Sequence, residues 1–164
     1  TLILPSRYTD DAYVKLNLDE WMGEDVLVRR IQFEGSKYNT IGHLDTYSKW
    51  ADISLYRLTL NADSKKETIV MSLGRVEPVL AQSLKGKLKG KSIKSNFIQI
   101  SGSHWDFQQA VLRIPFENSN GKKLKALRYD EDLRSWYEVS SSVHLTDRVV
   151  EIITDNPGIF VVVE

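Results

Sequence analysis

Apolar residues in this chain recur at every second position, and that period constrains the fold more than any other feature. Ala12, Val14, Leu16 and Leu18 alternate with Tyr13, Lys15 and Asn17, the signature of a strand with one buried face. Ile69, Met71 and Leu73 alternate with Thr68, Val70 and Ser72, and Ala110, Leu112, Ile114 and Phe116 with Val111, Arg113 and Pro115. Val149–Thr154 and Ile159–Val163 are two further runs, joined by Asp155-Asn156-Pro157-Gly158. That linker is turn chemistry: Asn and Asp close local bonds, Pro fixes φ, and Gly accepts φ > 0. Val26–Phe33 and Ile53–Leu60 are β-rich but alternate less cleanly, as expected of strands covered on both faces.

Turn-forming clusters at 19–25, 34–40, 61–66, 117–123 and 130–135 punctuate these runs. Short strands with closely spaced turns favour a β-sandwich or barrel over βαβ units. One stretch reads as helix: Pro78 suits a first helical position, and Leu80, Leu84 and Leu88 follow at every fourth residue. Gly86 and Gly90 limit it to one short helix near residues 78–85. The expected fold is all-β, a two-sheet antiparallel β-sandwich. A length of 164 residues suits a single domain, 1–164. The least hydrophobic stretch, 85–96, is where a seam between 1–84 and 97–164 would fall.

Composition removes several function classes. The 22 basic and 22 acidic side chains sum to zero, which excludes a whole-chain polycation built for phosphate backbones. A hydrophobic content of 41% is not that of a disordered chain. The absence of Cys removes disulfides, thiolate zinc sites, Fe–S clusters and a cysteine nucleophile. No apolar run approaches the ~18 residues of a membrane helix, so the chain is not expected to span a membrane. Thr1 is not an initiator Met, so the chain is read as a segment of a longer protein.

Charge is not balanced locally. No acid lies between Glu77 and Asp106, where Lys85, Lys87, Lys89, Lys91 and Lys94 stand. These five lysines are candidate contacts for a polyanion or anionic lipid surface. The alternative is a solvated loop, or an edge strand whose lysines block edge-to-edge pairing. No aromatic is interleaved within 85–94, which argues against a base-stacking groove and against a specific nucleic-acid partner.

The chain offers little for catalysis. His43-Leu44-Asp45 and His104-Trp105-Asp106 each put a His and an Asp two residues apart, a start for a metal site that lacks its other ligands. There is no G-x-S-x-G elbow and no glycine-rich phosphate cradle. Ser101-Gly102-Ser103-His104 has suitable residue types but no orienting acid. The carboxylate clusters Asp10-Asp11, Asp19-Glu20, Glu24-Asp25 and Asp130-Glu131-Asp132 all sit in turn-like segments. The reading is therefore of a protein that is not an enzyme, with no metal and no cofactor.

Aromatic residues are the better lead. Trp21 stands between acidic pairs in an expected turn, and Trp50 follows Tyr47, Ser48 and Lys49. An aromatic held beside polar side chains on a loop presents a flat face to a sugar ring or a partner protein. The candidate ligand-binding residues are Trp21, Tyr38, Trp50 and Trp105, the alternative for each being a lid folded back over the core.

From Asn96 onward a larger pattern appears. Phe97-Ile98-Gln99-Ile100-Ser101 is followed by Phe107–Phe116, then by Leu124–Val139 with Tyr129-Asp130-Glu131-Asp132-Leu133-Arg134-Ser135-Trp136 as a hairpin, and finally by Val149–Thr154 and Gly158–Val163. This resembles the C-terminal half of the β-sandwiches of netrin receptors and ankyrins, and of related modules in bacterial surface and S-layer-associated proteins. The resemblance covers about 70 residues and implies that Trp136 packs into the sandwich. Some relatives cut themselves at a His-Phe-Ser or His-Leu-Thr tripeptide before the last strand. Here that turn, Thr154–Phe160, has no His, and His144-Leu145-Thr146 comes one strand too early, so no self-cleavage is expected.

The function expected is that of a non-catalytic β-sandwich module of a larger, secreted or cell-surface bacterial protein, serving adhesion, ligand binding or structural spacing. One alternative is a carbohydrate-binding domain. Another is an intracellular, cytoplasmic protein-interaction scaffold. The expected partners are a protein or glycan ligand and other domains of the parent protein.

Overall fold

The computed structural model describes residues 2–5, 11–22, 28–34, 39–61 and 69–164. Its strands are β1 (Leu2–Pro5), β2 (Tyr13–Asn17), β3 (Val28–Glu34), β4 (Asn39–Tyr47), β5 (Asp52–Leu60), β6 (Ile69–Arg75), β7 (Ile98–Ser103), β8 (Trp105–Asp106), β9 (Gln109–Pro115), β10 (Lys125–Asp130), β11 (Ser135–Val139), β12 (Ser141–His144), β13 (Val149–Thr154) and β14 (Gly158–Val163). Two helices join them, α1 (Leu18–Met22) and α2 (Pro78–Lys85). The strands form two sheets: sheet A, in the order β1-β3-β6-β7-β14-β10-β11, and sheet B, in the order β12-β13-β9-β5-β4-β2, with β8 paired to β5. The all-β, two-sheet architecture matches the alternation in the sequence. Strands β6 and β7, which flank residues 85–96, are neighbours in sheet A.

Among the described strands the pairing is antiparallel except at two places, where β1 runs parallel to β3 and β2 parallel to β4. The expected purely antiparallel arrangement fails there for a topological reason. The first four strands alternate between the sheets, so β3 and β4 each return to their own sheet after an intervening strand in the other, and two reversals of direction leave them parallel to β1 and β2.

Between the sheets lies the main core, with Phe116, Phe160, Ile41, Leu44, Leu55 and Leu112 among its buried members. Leu55 and Leu58 both point inward, with the outward pair Tyr56–Arg57 between them. Opposite, Ile41 and Leu44 flank Gly42–His43. Arg57 takes a positive φ of 51°, which lets the strand skip one step of its alternation. Ile53–Leu60 is thus irregular because its backbone kinks, not because both faces are covered. The strand buried on both faces is β14: Phe160 and Val162 enter the main core, while Ile159, Val161 and Val163 enter a second cluster on the outer face of sheet A.

Helix α2 and the strap 86–96 that follows it cover that second cluster. Pro78 stands in the first turn, as expected. The inward stripe is Ala81, Leu84 and Leu88, whereas Leu80 is 44% exposed. The strap is pinned to β14 by backbone bonds from Lys94 N to the Val162 carbonyl (2.9 Å) and between Ser92 and Glu164 (3.1 and 2.8 Å). Ile93 makes a single β-bridge to Val163, so the lysine-rich stretch is not an edge strand but a strap of turns anchored by Leu88 and Ile93, with Lys85, Lys87, Lys89 and Lys91 exposed to solvent. Trp136 is half-buried and packs under this strap against Phe97 and Tyr129. It belongs to the outer cluster, not to the space between the sheets.

Candidate functional site

The outer face of sheet B carries a built polar network. Its residues come from three neighbouring strands in cross-strand register. Tyr13 pairs with His43 and His43 with Tyr56; Lys15 pairs with Asp45 and Asp45 with Ser54; Asn17 pairs with Tyr47. Period-two geometry places all of these on one face.

Asp45 is the centre. The residue is only 7% exposed, although it stands on the outward face, because the rings beside it screen it. The Tyr13 hydroxyl donates to Oδ2 at 2.6 Å and the Tyr47 hydroxyl to the same oxygen at 3.4 Å. His43 Nε2 lies 2.6 Å from Oδ1, and the Ser54 side chain adds a further hydrogen bond. Burial opposes ionisation of Asp45, but the donors Ser54 and Tyr13 and the charge of His43 outweigh it and hold the carboxyl below its ordinary value. The hydrogen bond to Asp45, followed by burial, pushes the Tyr13 phenol well above the ordinary tyrosine value. Burial and the Asp45 charge push Tyr47 upward as well. The phenols are therefore neutral donors, and the carboxylate is an anion occupied by its own neighbours.

The rings interlock. Tyr13 meets His43 edge-on with centroids 4.7 Å apart, and His43 stacks on Tyr56 at 4.4 Å. Lys15 Nζ lies 5.1 Å from the Tyr47 ring centre. Tyr13 is 55% exposed, so a locked aromatic surface faces outward. One row further on, Asp52 pairs with Arg113 and Arg113 with Glu151. Burial raises the Asp52 carboxyl while the Arg113 guanidinium draws it down, and burial wins.

The sequence marked His43 and Asp45 as a start for a metal site. Among the described residues no group of three or more His, Cys, Asp or Glu could hold a metal ion, and Asp45 is taken up by phenols and imidazole. Tyr13, Tyr47 and Tyr56 escaped sequence reasoning. The available signal was the outward position of Tyr13 between Ala12 and Val14, and the two-residue step from Asp45 to Tyr47.

The aromatic candidates read from the sequence do not converge. Trp21 lies in α1, not in a turn, and is 64% exposed. Asn17 Oδ1 accepts from Glu20 N at 3.2 Å, capping the helix, and Asp19 and Glu20 suit its first turn. Trp50 is half-buried beneath the Arg75 guanidinium, 4.0 Å from its ring centre, with Lys49 Nζ at 4.6 Å. It lines a cleft of about 450 Å³ with Lys94, Asn96 and Glu117. Trp105 stacks on Phe107 and donates from Nε1 to the Val70 carbonyl at 2.9 Å. It crosses Gly102, where a Cβ would come within 2.3 Å of that indole nitrogen, so only glycine fits there. Trp50 and Trp105 flank opposite ends of β5, next to Asp52 and opposite Leu60 respectively, and cannot share one ligand ring. Tyr38 lies outside the described residues. In His144-Leu145-Thr146 the His is the last residue of β12 and Leu145 and Thr146 open the turn to β13; His144 Nε2 lies 3.7 Å from Glu151.

The candidate polyanion contacts are brought together in part. Lys87, Lys89 and Lys91 border one groove, while Lys94 donates to the Asn118 carbonyl at 2.8 Å beside Trp50 and Lys85 borders a third cleft. Among the described residues no helix is long and apolar enough to cross a membrane. No protein-family model and no curated protein matches the sequence.

Proposed function

We propose that this chain is a non-catalytic β-sandwich binding module of a larger protein, and that the outer face of sheet B is its ligand surface. The observation that supports this reading most directly is the Asp45 network. A carboxylate engaged by the Tyr13, Tyr47 and Ser54 hydroxyls, with the His43 imidazole beside its other oxygen, is an anion at neutral pH that is occupied by its own neighbours. What it does is fix two phenols and an imidazole in place, and Tyr56 stacks on that imidazole. Rigid aromatic rings with polar tips give contact area at low entropic cost. The ligand such a face fits best is a carbohydrate, whose ring lies flat on Tyr13 and whose hydroxyls reach Lys15 and Asn17. The resemblance of residues 96–164 to cell-surface sandwiches supports a place outside the cell or on its surface, with adhesion as the purpose.

The test is a glycan array followed by titration calorimetry on the best glycan. Tyr13→Ala is expected to weaken binding at least tenfold, and Tyr13→Phe, which keeps the ring and loses only the hydrogen bond to Asp45, to bind more tightly than the alanine variant, with Tm checking that both variants fold. Trp21→Ala is expected to leave binding unchanged. Absence of binding to every glycan, or loss with Trp21→Ala and not with Tyr13→Ala, would overturn the assignment.

A further inference from the structure

A second surface lies at the other side of the molecule, independent of the first. Strand β11 is the last strand of sheet A, paired with β10 on one side and with no described strand on the other. Its outer edge presents backbone donors and acceptors that no described strand pairs, along five residues, roughly 17 Å at about 3.3 Å per residue. Beside it the strap and β10 enclose a groove of about 380 Å³, bordered by Lys87, Lys89, Lys91, Lys125 and Arg134, with Leu127 and Trp136 also lining it.

The charges in this groove are unequally engaged. Lys87 Nζ donates to the Tyr129 hydroxyl at 2.9 Å, and Lys125 lies 3.7 Å from Glu138. Lys89, Lys91 and Arg134 are exposed and make no ion pair with a described residue. Three uncommitted cations thus stand along an open strand edge whose one acid in the groove, Glu138, is already paired. The sequence could not show this, since Trp136 and Arg134 are more than 40 residues from the lysines they join.

We propose that β11 and the lysine strap form a docking groove for an extended acidic peptide segment of a partner protein. The peptide adds to sheet A as a further strand beside β11. Its alternate side chains point toward the strap, where carboxylates meet Lys89, Lys91 and Arg134, while intervening apolar side chains turn to the other face. Strand addition supplies affinity through the backbone, and the charges supply register and selectivity. A peptide fits better than a nucleic acid or a sulfated glycan, because only a peptide satisfies the backbone groups of an open edge.

The probe is a fluorescein-labelled octapeptide of alternating Glu and Val, measured by anisotropy with the full chain at low salt. Binding is expected, at least tenfold weaker for the double variant Lys89→Glu with Lys91→Glu. It is also expected to be at least tenfold weaker for the same peptide N-methylated at alternate residues, which keeps its charge and loses its strand-pairing N–H groups. Both lysines are exposed, so the variant folds, and its Tm checks this. If the unmodified peptide does not bind, the groove is not a docking site. If the N-methylated peptide binds equally well, the edge plays no part and the strap is a general anion surface. Either result overturns the proposal.

Discussion

The two outer faces of this sandwich start from the same strand geometry and end differently. On sheet A the outward residues Leu127 and Tyr129 of β10 and Ile159, Val161 and Val163 of β14 are all buried, and only Lys125 at the start of β10 is exposed among them. On sheet B they include Lys15, Asp45, Ser54, Asp52, Arg113 and Ile153, and no described element lies over them. A strand that is apolar at every position, as in Ile159–Val163, has two faces to hide and so demands a cover. Helix α2 and the strap meet that demand. Polar alternation on the other sheet removes it and leaves the face free to carry rings and charges. Cover and openness are thus written into which residues occupy the outward positions, and the two faces take different work: sheet A holds the strap in place, sheet B presents a surface.

The contrast breaks most sharply under matched truncations. Leu127→Ala removes a buried side chain beneath the strap and is expected to cost about 3 kcal/mol. Ile153→Ala, on the outer face of sheet B where Ile153 is 51% exposed, is expected to cost less than about 1 kcal/mol. Urea unfolding of both variants measures the difference. Equal losses would mean that sheet B is as covered as sheet A.

Next in size is Trp136→Ala. Trp136 touches Phe97 and Tyr129 and donates from Nε1 to the Leu84 carbonyl at 3.3 Å, so it ties β11 to α2. Its removal is expected to cost about 2 kcal/mol, and to loosen the strap before the sheets. The strap is rich in lysines, so trypsin reads this directly: cleavage within 85–94 is expected to speed up at least tenfold under native conditions. Cleavage at the wild-type rate would show that the strap is held by its backbone bonds to β14 alone.

How far this was legible in the sequence divides along the same line. The runs at 69–73 and 110–116 became strands because alternation is a local property, and those at 149–154 and 159–163 because β-branched residues bounded by turn signals are one as well. Pro78 and the spacing that follows it marked α2 for the same reason. The site was less legible. His43 and Asp45 are two residues apart and drew notice, but Tyr13 is 32 residues from Asp45 and Tyr56 is 13 from His43. Only the parallel pairing of β2 with β4 brings Tyr13 beside them, and no propensity or motif encodes that register. The kink at Arg57 was hidden likewise, since a positive φ at an Arg has no sequence mark. Trp50 and Trp105 were noticed for their ring chemistry, but both are fastened to their surroundings at opposite ends of one strand.

The smallest effect sharpens the comparison most, because it isolates the network that distinguishes sheet B. Asp45→Asn keeps the shape and removes the charge, and is expected to cost about 1 to 1.5 kcal/mol at pH 7. The loss is pH-dependent with a definite sign. Asp45 ionises more readily in the folded chain than in the unfolded one, whose value is about 3.9. The folded chain therefore binds fewer protons, and the contribution of Asp45 is full above about pH 4 and drains away as pH falls through the folded value. The stability gap between wild type and Asp45→Asn should narrow on acidification to pH 3. A gap of constant size would show that the carboxylate is no better held than in an unfolded chain. The alkaline side offers an independent reading. The Tyr13 phenol is raised above about 10, chiefly by its hydrogen bond to Asp45, so its contribution is full below that pH and lost as pH rises through the folded value. In Asp45→Asn that phenol should ionise earlier, moving part of the tyrosinate absorbance to lower pH. No such change is expected in Trp136→Ala, whose lesion lies on the other sheet, and a shift there would mean that the two faces are coupled through the core.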